Sequence, residues 1–185
     1  MDKARFFTFE GMDGVGKSTV MVGLASWLSQ NRLSVMVTHE PYDLETLDPS
    51  DPVSWASDRS KHIRSVINPA MASYQYILCD RYVHSSYAYQ HQSDIVRELN
   101  SDFPKPDRVY LLDCDPTTAI ARMSERGDTG LVSPTLFDDL SGLRSRYLDL
   151  AAAEPDLITV IDASKSPALV LQDIIDDVVG GNRDD

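Results

Sequence analysis

The sequence predicts an α/β fold in which a five-stranded parallel sheet is covered on both faces by helices. Strand-like and helix-like segments alternate along all 185 residues without a repeat or a break in composition, which is typical of parallel sheets. The first apolar run stops at Glu10 and continues into a glycine-rich loop. With 42% hydrophobic and 25% charged residues, the composition is that of one globular domain spanning residues 1–185.

The individual elements follow from the spacing of apolar residues, which is alternating or continuous in strands and three to four residues apart in helices. Polar residues just after the strands are candidates for function, because sites in such sheets lie at the carboxyl ends of the strands. We expect strands near residues 5–10, 34–39, 75–80, 108–113 and 157–161. We expect helices near residues 18–30, 53–72, 84–99, 115–126, 135–153 and 167–179.

The loop after the first strand matches the pattern G-x-x-x-x-G-K-[ST], which binds polyphosphates through backbone N–H groups. Lys17 would reach the β- and γ-phosphates of the polyphosphate, and the Ser18 hydroxyl would hold Mg²⁺. A match over eight residues can occur by chance, but here the motif has the strand before it and the helix after it that it requires. The expected nucleotide-binding residues are Gly11, Met12, Asp13, Gly14, Val15, Gly16, Lys17, Ser18 and Thr19.

The third strand, in "YQYILCDRY" (74–82), ends in Asp80 and is followed by Arg81. A carboxylate beside a phosphate loop is placed to bind a Mg²⁺-bound water, so Asp80 is a metal candidate. The alternative is that Asp80 caps the next helix. The guanidinium of Arg81 suits a pair of phosphate oxygens, which predicts a second phosphorylated ligand.

The net charge of −12 argues against nucleic acid or an anionic membrane surface as a partner. No apolar run approaches the roughly 20 residues of a membrane span, and no signal peptide precedes the first strand. We therefore expect a cytoplasmic protein. Its two cysteines, Cys79 and Cys114, fit buried thiols better than a disulfide.

Several blocks of the sequence, in order, resemble the thymidylate kinases, a family of nucleoside monophosphate kinases. The resemblance implies a three-layer P-loop NTPase fold with a short lid, transfer of the γ-phosphoryl group of ATP to dTMP with Mg²⁺, nucleotide substrates, and a homodimer. The blocks are "FFTFEGMDGVGKST" (6–19), "HEP" (39–41), "WASDRSKHIRSVINPAM" (55–71), "DRYVHSSYAYQ" (80–90), "RYLDLAAAEPD" (146–156) and "VIDAS" (160–164).

The resemblance also implies the acceptor site. Trp55 would stack on the base, and Arg59, one helical turn later, would hydrogen-bond its carbonyl edge. Gln90 would read the base with its amide, and Tyr89 would pack against the sugar and disfavour a 2′-hydroxyl. The alternatives are a buried Trp beside a solvated Arg, and a core position for Tyr89. Glu40, Ser86, Arg81 and Asp13 complete the expected acceptor site, although Asp13 could be only a turn residue.

The segment "ARMSERGDTGLVS" (121–133) is similar to the lid of the family, which we place at about 122–134. Phosphoryl transfer needs positive charge around the transferred group. Position 14 is glycine, where one branch of the family has arginine, so Arg122 and Arg126 are expected to supply that charge. The alternative is a solvated helix end. With Lys17, Asp13 and Arg81, they form the predicted catalytic set.

Two segments depart from the family pattern. "HEPYDLETLDPSDPVSW" (39–55) is shorter and more acidic than the expected R-E-P-G-G-T region, with His39 in place of arginine. The lid lacks the usual D-R-x-E sequence. We therefore expect dTMP as the best acceptor with looser selection. The alternatives are a broad deoxynucleoside monophosphate kinase and a nucleotide-binding homologue without activity.

Overall fold

A computed structural model describes residues 3–90, 94–127 and 136–180. Its sheet has five parallel strands in the order β2-β3-β1-β4-β5, which confirms the predicted fold class. The central strand, β1, pairs with both β3 and β4. The strands are β1 (Arg5–Glu10), β2 (Val35–His39), β3 (Tyr76–Asp80), β4 (Arg108–Asp113) and β5 (Ile158–Asp162).

Eight α-helices surround the sheet within the described residues. They are α1 (Lys17–Gln30), α2 (Pro52–His62), α3 (Asn68–Ser73), α4 (Val83–Tyr89), α5 (Asp94–Asn100), α6 (Pro116–Glu125), α7 (Leu136–Ala153) and α8 (Pro167–Gly180). A π-helical turn at Ile63–Ile67 joins α2 to α3, so the helix predicted near 53–72 is continuous. The single helix predicted near 84–99 is wrong, because α4 ends at Tyr89 and a separate α5 begins at Asp94.

The starts of two helices follow directly from Asp-Pro pairs in the sequence. The Asp51 side chain accepts hydrogen bonds from Val53 N and Ser54 N at the start of α2, and Asp115 accepts one from Thr117 N at the start of α6. Proline is tolerated in the first turn because its missing N–H would have no helical partner there. These caps fix where α2 and α6 begin, beside the carboxyl edge of the sheet.

The core lies on both faces of the sheet. Successive side chains of β1 point to opposite faces, so Phe6 packs in one cluster with Ile77 and Tyr82, while Phe7 packs in the other with Leu24. All of these side chains are buried. None of the described helices is long and apolar enough to cross a membrane.

Candidate active site

The phosphate loop joins β1 to α1 and packs tightly against two neighbouring elements. A Cβ atom added to Gly11 would lie 2.4 Å from the Leu112 carbonyl oxygen, and one added to Gly14 would lie 2.4 Å from the Ala119 carbonyl oxygen. Both glycines have positive φ angles, +130° and +83°, a region that L-residues with side chains rarely adopt. Glycine is therefore required here by both backbone conformation and space.

Lys17, at the start of α1, is buried with its ammonium inside the loop. Its Nζ donates to the carbonyl oxygens of Met12 at 2.9 Å and Gly11 at 3.2 Å. Burial, together with the nearby charge of Arg81, lowers the pKa of Lys17 from 10.5 to about 8, because both disfavour the ammonium form. The loop thus holds a poorly solvated cation that an entering phosphate would stabilise.

Ser18 and Asp80 form a pair of oxygen ligands suited to Mg²⁺. The Ser18 hydroxyl donates to Asp80 Oδ2 at 2.8 Å, and the other carboxylate oxygen, Oδ1, is buried without a hydrogen bond to any described residue. The alternative role of Asp80 does not appear, because no side chain caps the N-terminus of α4. The described residues contain no cluster of three metal-binding side chains, but Mg²⁺ bound to nucleotides usually takes only one or two protein ligands. The donor set fits the ion.

Arg81 has a strained backbone and a guanidinium held on several sides. Its φ angle is +68°, and its Nη2 donates to Asp13 Oδ1 at 2.5 Å. The guanidinium also lies 5.2 Å from the centre of the Tyr89 ring. Burial acts against ionisation of Asp13, but the charges of Arg81 and Lys17 outweigh it and lower the pKa of this carboxyl. The Asp13–Arg81 ion pair therefore stays charged, which makes Asp13 more than a turn residue.

A cavity of about 270 Å³ lies above the phosphate loop. Besides the loop residues, His39, Glu40, Asp80, Arg81 and Arg126 line it. The cavity thus has the phosphate loop as its floor, carboxylate and hydroxyl oxygens at one edge and two arginines among its walls.

The structure separates the two arginines of the predicted lid. Arg126 lines the cavity, whereas Arg122 Nη1 donates to the carbonyl oxygens of Ala163 at 2.9 Å and Val15 at 3.4 Å. Arg122 therefore ties the phosphate loop to the residues after β5 and is not among the residues that line the cavity. Residues 128–134 of the predicted lid lie outside the described residues.

A second cavity, of about 420 Å³, adjoins the first and has largely apolar walls. It shares Asp13, Glu40 and Arg81 with the first cavity. Its remaining lining residues include all the predicted base- and sugar-binding side chains, namely Trp55, Arg59, Ser86, Tyr89 and Gln90. The fold therefore gathers residues from two helices that are separate in the sequence, α2 and α4 with its C-cap Gln90, into one pocket.

Three side chains give this second cavity its shape. The Trp55 indole N–H donates to the Pro49 carbonyl oxygen at 3.1 Å, which fixes the ring against the 42–54 segment. Tyr89 is 43% exposed, so the alternative of a core position is wrong. The Gln90 Oε1 atom is buried without a hydrogen-bonding partner in the described part of the chain. An unsatisfied amide beside an apolar cavity is a group that a ligand would complete.

Arg59 is 1% exposed, so the alternative of a solvated arginine is wrong. Its guanidinium donates to Glu40 Oε2 at 2.8 Å, Ser86 Oγ at 3.1 Å and the Tyr82 carbonyl oxygen at 3.2 Å, and also to Asn100 Oδ1. These bonds use four of its five N–H donors. At most one donor is left for a base, so Arg59 mainly organises the pocket.

The segment that departs from the family pattern is held by a carboxylate that sequence reasoning missed. Asp58, buried on α2, accepts hydrogen bonds from the backbone N–H groups of Tyr42 and Asp43, both at 2.8 Å. Nothing in the local spacing singles out this aspartate, because its partners lie 15 and 16 residues earlier. The structure therefore ties down the start of the segment whose departure from the family pattern led us to expect looser selection of the acceptor.

Glu10 is a second buried carboxylate that sequence reasoning missed. It is fully buried at the carboxyl end of β1 and accepts hydrogen bonds from Tyr82 N and Ser85 Oγ. Burial raises the pKa of this carboxyl. The signal in the sequence was the charge that ends an otherwise apolar strand.

Comparison with known proteins shows which family this sequence is similar to. Residues 53–174 match the family model described as thymidylate kinase. A thymidylate kinase from Bifidobacterium longum is 32% identical, over 94% of this chain and 96% of that protein. A probable thymidylate kinase from Pyrobaculum aerophilum is 35% identical, over 91% of this chain and 93% of that protein.

A solved structure supports the fold independently. The crystal structure of thymidylate kinase from Ehrlichia chaffeensis superposes with a TM-score of 0.71, covering 95% of this chain and 99% of that one. At 24% sequence identity, this similarity shows the architecture.

Proposed function

The chain belongs to the thymidylate kinase family, and from that premise we propose that it transfers the γ-phosphoryl group of ATP to dTMP, giving dTDP. The observation that carries this proposal is that the two cavities meet at Asp13, Glu40 and Arg81. One cavity has the groups that bind a polyphosphate, and the other has an apolar slot with an unsatisfied amide. A donor and an acceptor placed in these cavities would bring their phosphates together at Arg81, as phosphoryl transfer requires.

On the donor side, Lys17 and the backbone of the phosphate loop bind the phosphates of ATP. The phosphates would take the ammonium of Lys17 away from its bonds to Gly11 and Met12 and would stabilise its charge. Ser18 and Asp80 would hold Mg²⁺. When bound, this ion offsets the negative charge of the β- and γ-phosphates.

On the acceptor side, Trp55 forms a flat apolar wall for the thymine ring. Gln90 supplies the amide that pairs with the base edge, and the last N–H donor of Arg59 adds a second contact. Tyr89 lies at the mouth, where it would pack against the sugar. Because these contacts are few, we infer that dTMP is preferred and that other deoxynucleoside monophosphates are also used.

During transfer, Arg81 binds the acceptor phosphate while Asp13 keeps its guanidinium in the shared region of the two cavities. Arg126 faces the same space and stabilises the charge that is shared by the attacking and leaving oxygens. Arg122 contributes indirectly, because its bonds to Val15 and Ala163 brace the phosphate loop. From the sequence we expected both lid arginines to supply charge around the transferred group, and we now propose that direct role for Arg126 alone.

We also propose that the protein works as a cytoplasmic homodimer. Val53 on α2 is 56% exposed and Ile95 on α5 is 63% exposed, and these two helices pack against each other. Exposed apolar side chains on adjacent helices favour a protein partner, and a second copy of this chain fits the resemblance. Light scattering on the protein as it elutes from a size-exclusion column should give twice the monomer mass of 20.6 kDa. A mass equal to that of the monomer would contradict the proposal.

The function is tested by measuring kcat/KM with Mg·ATP for dTMP, dUMP, dCMP, dGMP and UMP. We expect dTMP to be the best acceptor, dUMP to be turned over measurably, and UMP to be poor because of Tyr89. A preference for dGMP or dCMP would contradict the base-reading roles while leaving the kinase assignment in place. Binding of ATP without turnover of any acceptor would favour the homologue without activity.

A further inference from the structure

The buried carboxylate of Glu10 lies at the centre of a hydrogen-bond network that leads to Arg81. Its Oε1 accepts from Tyr82 N at 2.8 Å, and its Oε2 accepts from the hydroxyls of Ser85 at 2.7 Å and Tyr147 at 3.1 Å. Ser85 lies on α4 and Tyr147 on α7, so one carboxylate at the end of β1 joins two helices. A buried acid is costly unless its oxygens are satisfied, and this one has three donors.

The same carboxylate fixes the backbone around Arg81. The N–H of Arg81 donates to the Phe9 carbonyl oxygen at 2.9 Å, and the next N–H, that of Tyr82, donates to Glu10. Two successive amides are thus bound to the end of β1. A positive φ at a residue other than glycine persists only where its surroundings hold it, and these two bonds hold Arg81 at +68°.

The carboxylate also sets the direction of the hydroxyls that face the guanidinium. Arg81 Nη1 lies 3.2 Å from Ser85 Oγ and 3.4 Å from Tyr147 Oη. Each hydroxyl has one proton, and donating it to Glu10 leaves the oxygen lone pairs for Arg81. Both oxygens therefore accept from the arginine, while its other terminal nitrogen pairs with Asp13.

We propose that Glu10, acting through Ser85, Tyr147 and the Tyr82 amide, is the positioning residue for Arg81 and thereby for the phosphate of the acceptor. The inference rests on the proposed function, in which Arg81 binds that phosphate. It gives a functional reason for the charge that ends β1 and for the tyrosine on α7.

The first test is the Tyr147→Phe variant, which removes one hydroxyl and keeps the ring. Loss of this hydroxyl leaves Arg81 and Glu10 each with one contact fewer, so KM for dTMP should rise by on the order of five-fold. KM for ATP should stay within about two-fold, because the hydrogen bonds described for the Tyr147 hydroxyl go to Glu10, Ser85 and Arg81 and not to the phosphate loop. A role confined to stability would lower the melting temperature without separating the two KM values.

Tyr110→Phe is the matched control. Tyr110 is also buried and also donates its hydroxyl to a carboxylate, Asp177 Oδ2 at 2.9 Å, but among the described residues this hydroxyl bonds to neither Glu10 nor Arg81. It should leave both KM values unchanged. The proposal is overturned if Tyr147→Phe changes KM for dTMP no more than Tyr110→Phe does, or if it raises both KM values equally.

The Glu10→Gln variant adds a readout that needs no substrate, namely the rate at which the Tyr82 amide exchanges with solvent. If the carbonyl oxygen of the glutamine accepts from Tyr82 N, its NH₂ group faces the hydroxyls of Ser85 and Tyr147, and these hydroxyls must then accept a hydrogen bond instead of donating one. If the amide is flipped, its NH₂ group faces Tyr82 N, and the hydrogen bond from Tyr82 N is lost. We expect KM for dTMP to rise about ten-fold, or the Tyr82 amide to exchange with solvent about ten-fold faster in nuclear magnetic resonance measurements.

These measurements separate the inference from the proposed function. If the wild-type protein does not phosphorylate dTMP, the proposed function fails, and amide exchange at Tyr82 still decides whether Glu10 holds this backbone. If the wild type is active but neither KM for dTMP nor Tyr82 exchange differs from the control, the inference is wrong and the function stands. Should Glu10→Gln not fold, the comparison of the two tyrosine variants decides.

Discussion

Lys17 links the proposed catalytic function of the phosphate loop to a measurable cost in stability. Its pKa of about 8, compared with 10.5 in a solvated chain, means that the folded protein pays about 3 kcal/mol to keep the ammonium charged, at about 1.4 kcal/mol per pKa unit. Because Lys17 is only 7% exposed, screening by solvent does little to reduce this figure.

The sign of the pH dependence follows from proton linkage. Between pH values of about 8 and 10.5 the unfolded chain holds the lysine proton more tightly than the folded protein, so stability rises with pH. This contribution of Lys17 to the stability of the folded protein is fully present above pH 10.5 and is lost as the pH falls through about 8. From about pH 7 to about pH 9, the contribution of Lys17 should increase the free energy of unfolding by about 1.3 kcal/mol.

Lys17→Met isolates this contribution, because methionine keeps an unbranched apolar stem without the charge. Urea denaturation of both proteins at about pH 7, 8 and 9 gives the unfolding free energy of the wild type minus that of the variant, and the contributions of the other titrating groups cancel in this difference. We expect the difference to increase by about 1.3 kcal/mol in favour of the wild type from the lowest to the highest pH. Turnover of the variant should fall by on the order of 10²-fold or more. A difference that does not change with pH would refute the buried-ammonium reasoning, and near-normal turnover would refute the role of the loop.

Three further predictions concern other parts of the site. Arg126→Ala should lower kcat by on the order of 10²-fold with little change in KM for dTMP, and Arg126→Lys should recover only part of it; an unchanged kcat would return this arginine to a solvated helix end. Gln90→Ala should narrow the difference in kcat/KM between dTMP and dCMP by roughly 10-fold, and an unmoved ranking would contradict its base-reading role. Gly14→Ala should lose about 2 kcal/mol or more of unfolding free energy in urea, because the new Cβ meets the Ala119 carbonyl oxygen in a strained conformation. Gly16→Ala, which meets no atom within 4 Å, is its control and should lose less.

The sequence predicted the sheet well because strands and helices are specified locally. Apolar runs bounded by turns, and Asp-Pro pairs at 51–52 and 115–116, define elements within a few residues. The break between α4 and α5 was missed although five consecutive polar residues, "QHQSD" (90–94), interrupt the apolar spacing there.

The candidate site was predicted in its composition but not in its contacts. Gln90 and Trp55 do line the second cavity, yet whether an arginine faces a ligand or the core depends on distant partners. Arg59 is occupied by Glu40 and Asn100, 19 and 41 residues away in the chain. Arg122 is likewise held by carbonyl groups 107 and 41 residues away. Spacing along one helix carries no information about such partners.

The most direct measurement of the central claim is the fate of the terminal phosphoryl group of ATP labelled at its γ position, incubated with dTMP and Mg²⁺. The account predicts that the label appears in dTDP, in proportion to the dTMP consumed, and that Lys17→Met abolishes this transfer while remaining folded. Label released only as inorganic phosphate, or ATP left intact in the presence of dTMP, would contradict the claim that the two cavities bring a donor and an acceptor together.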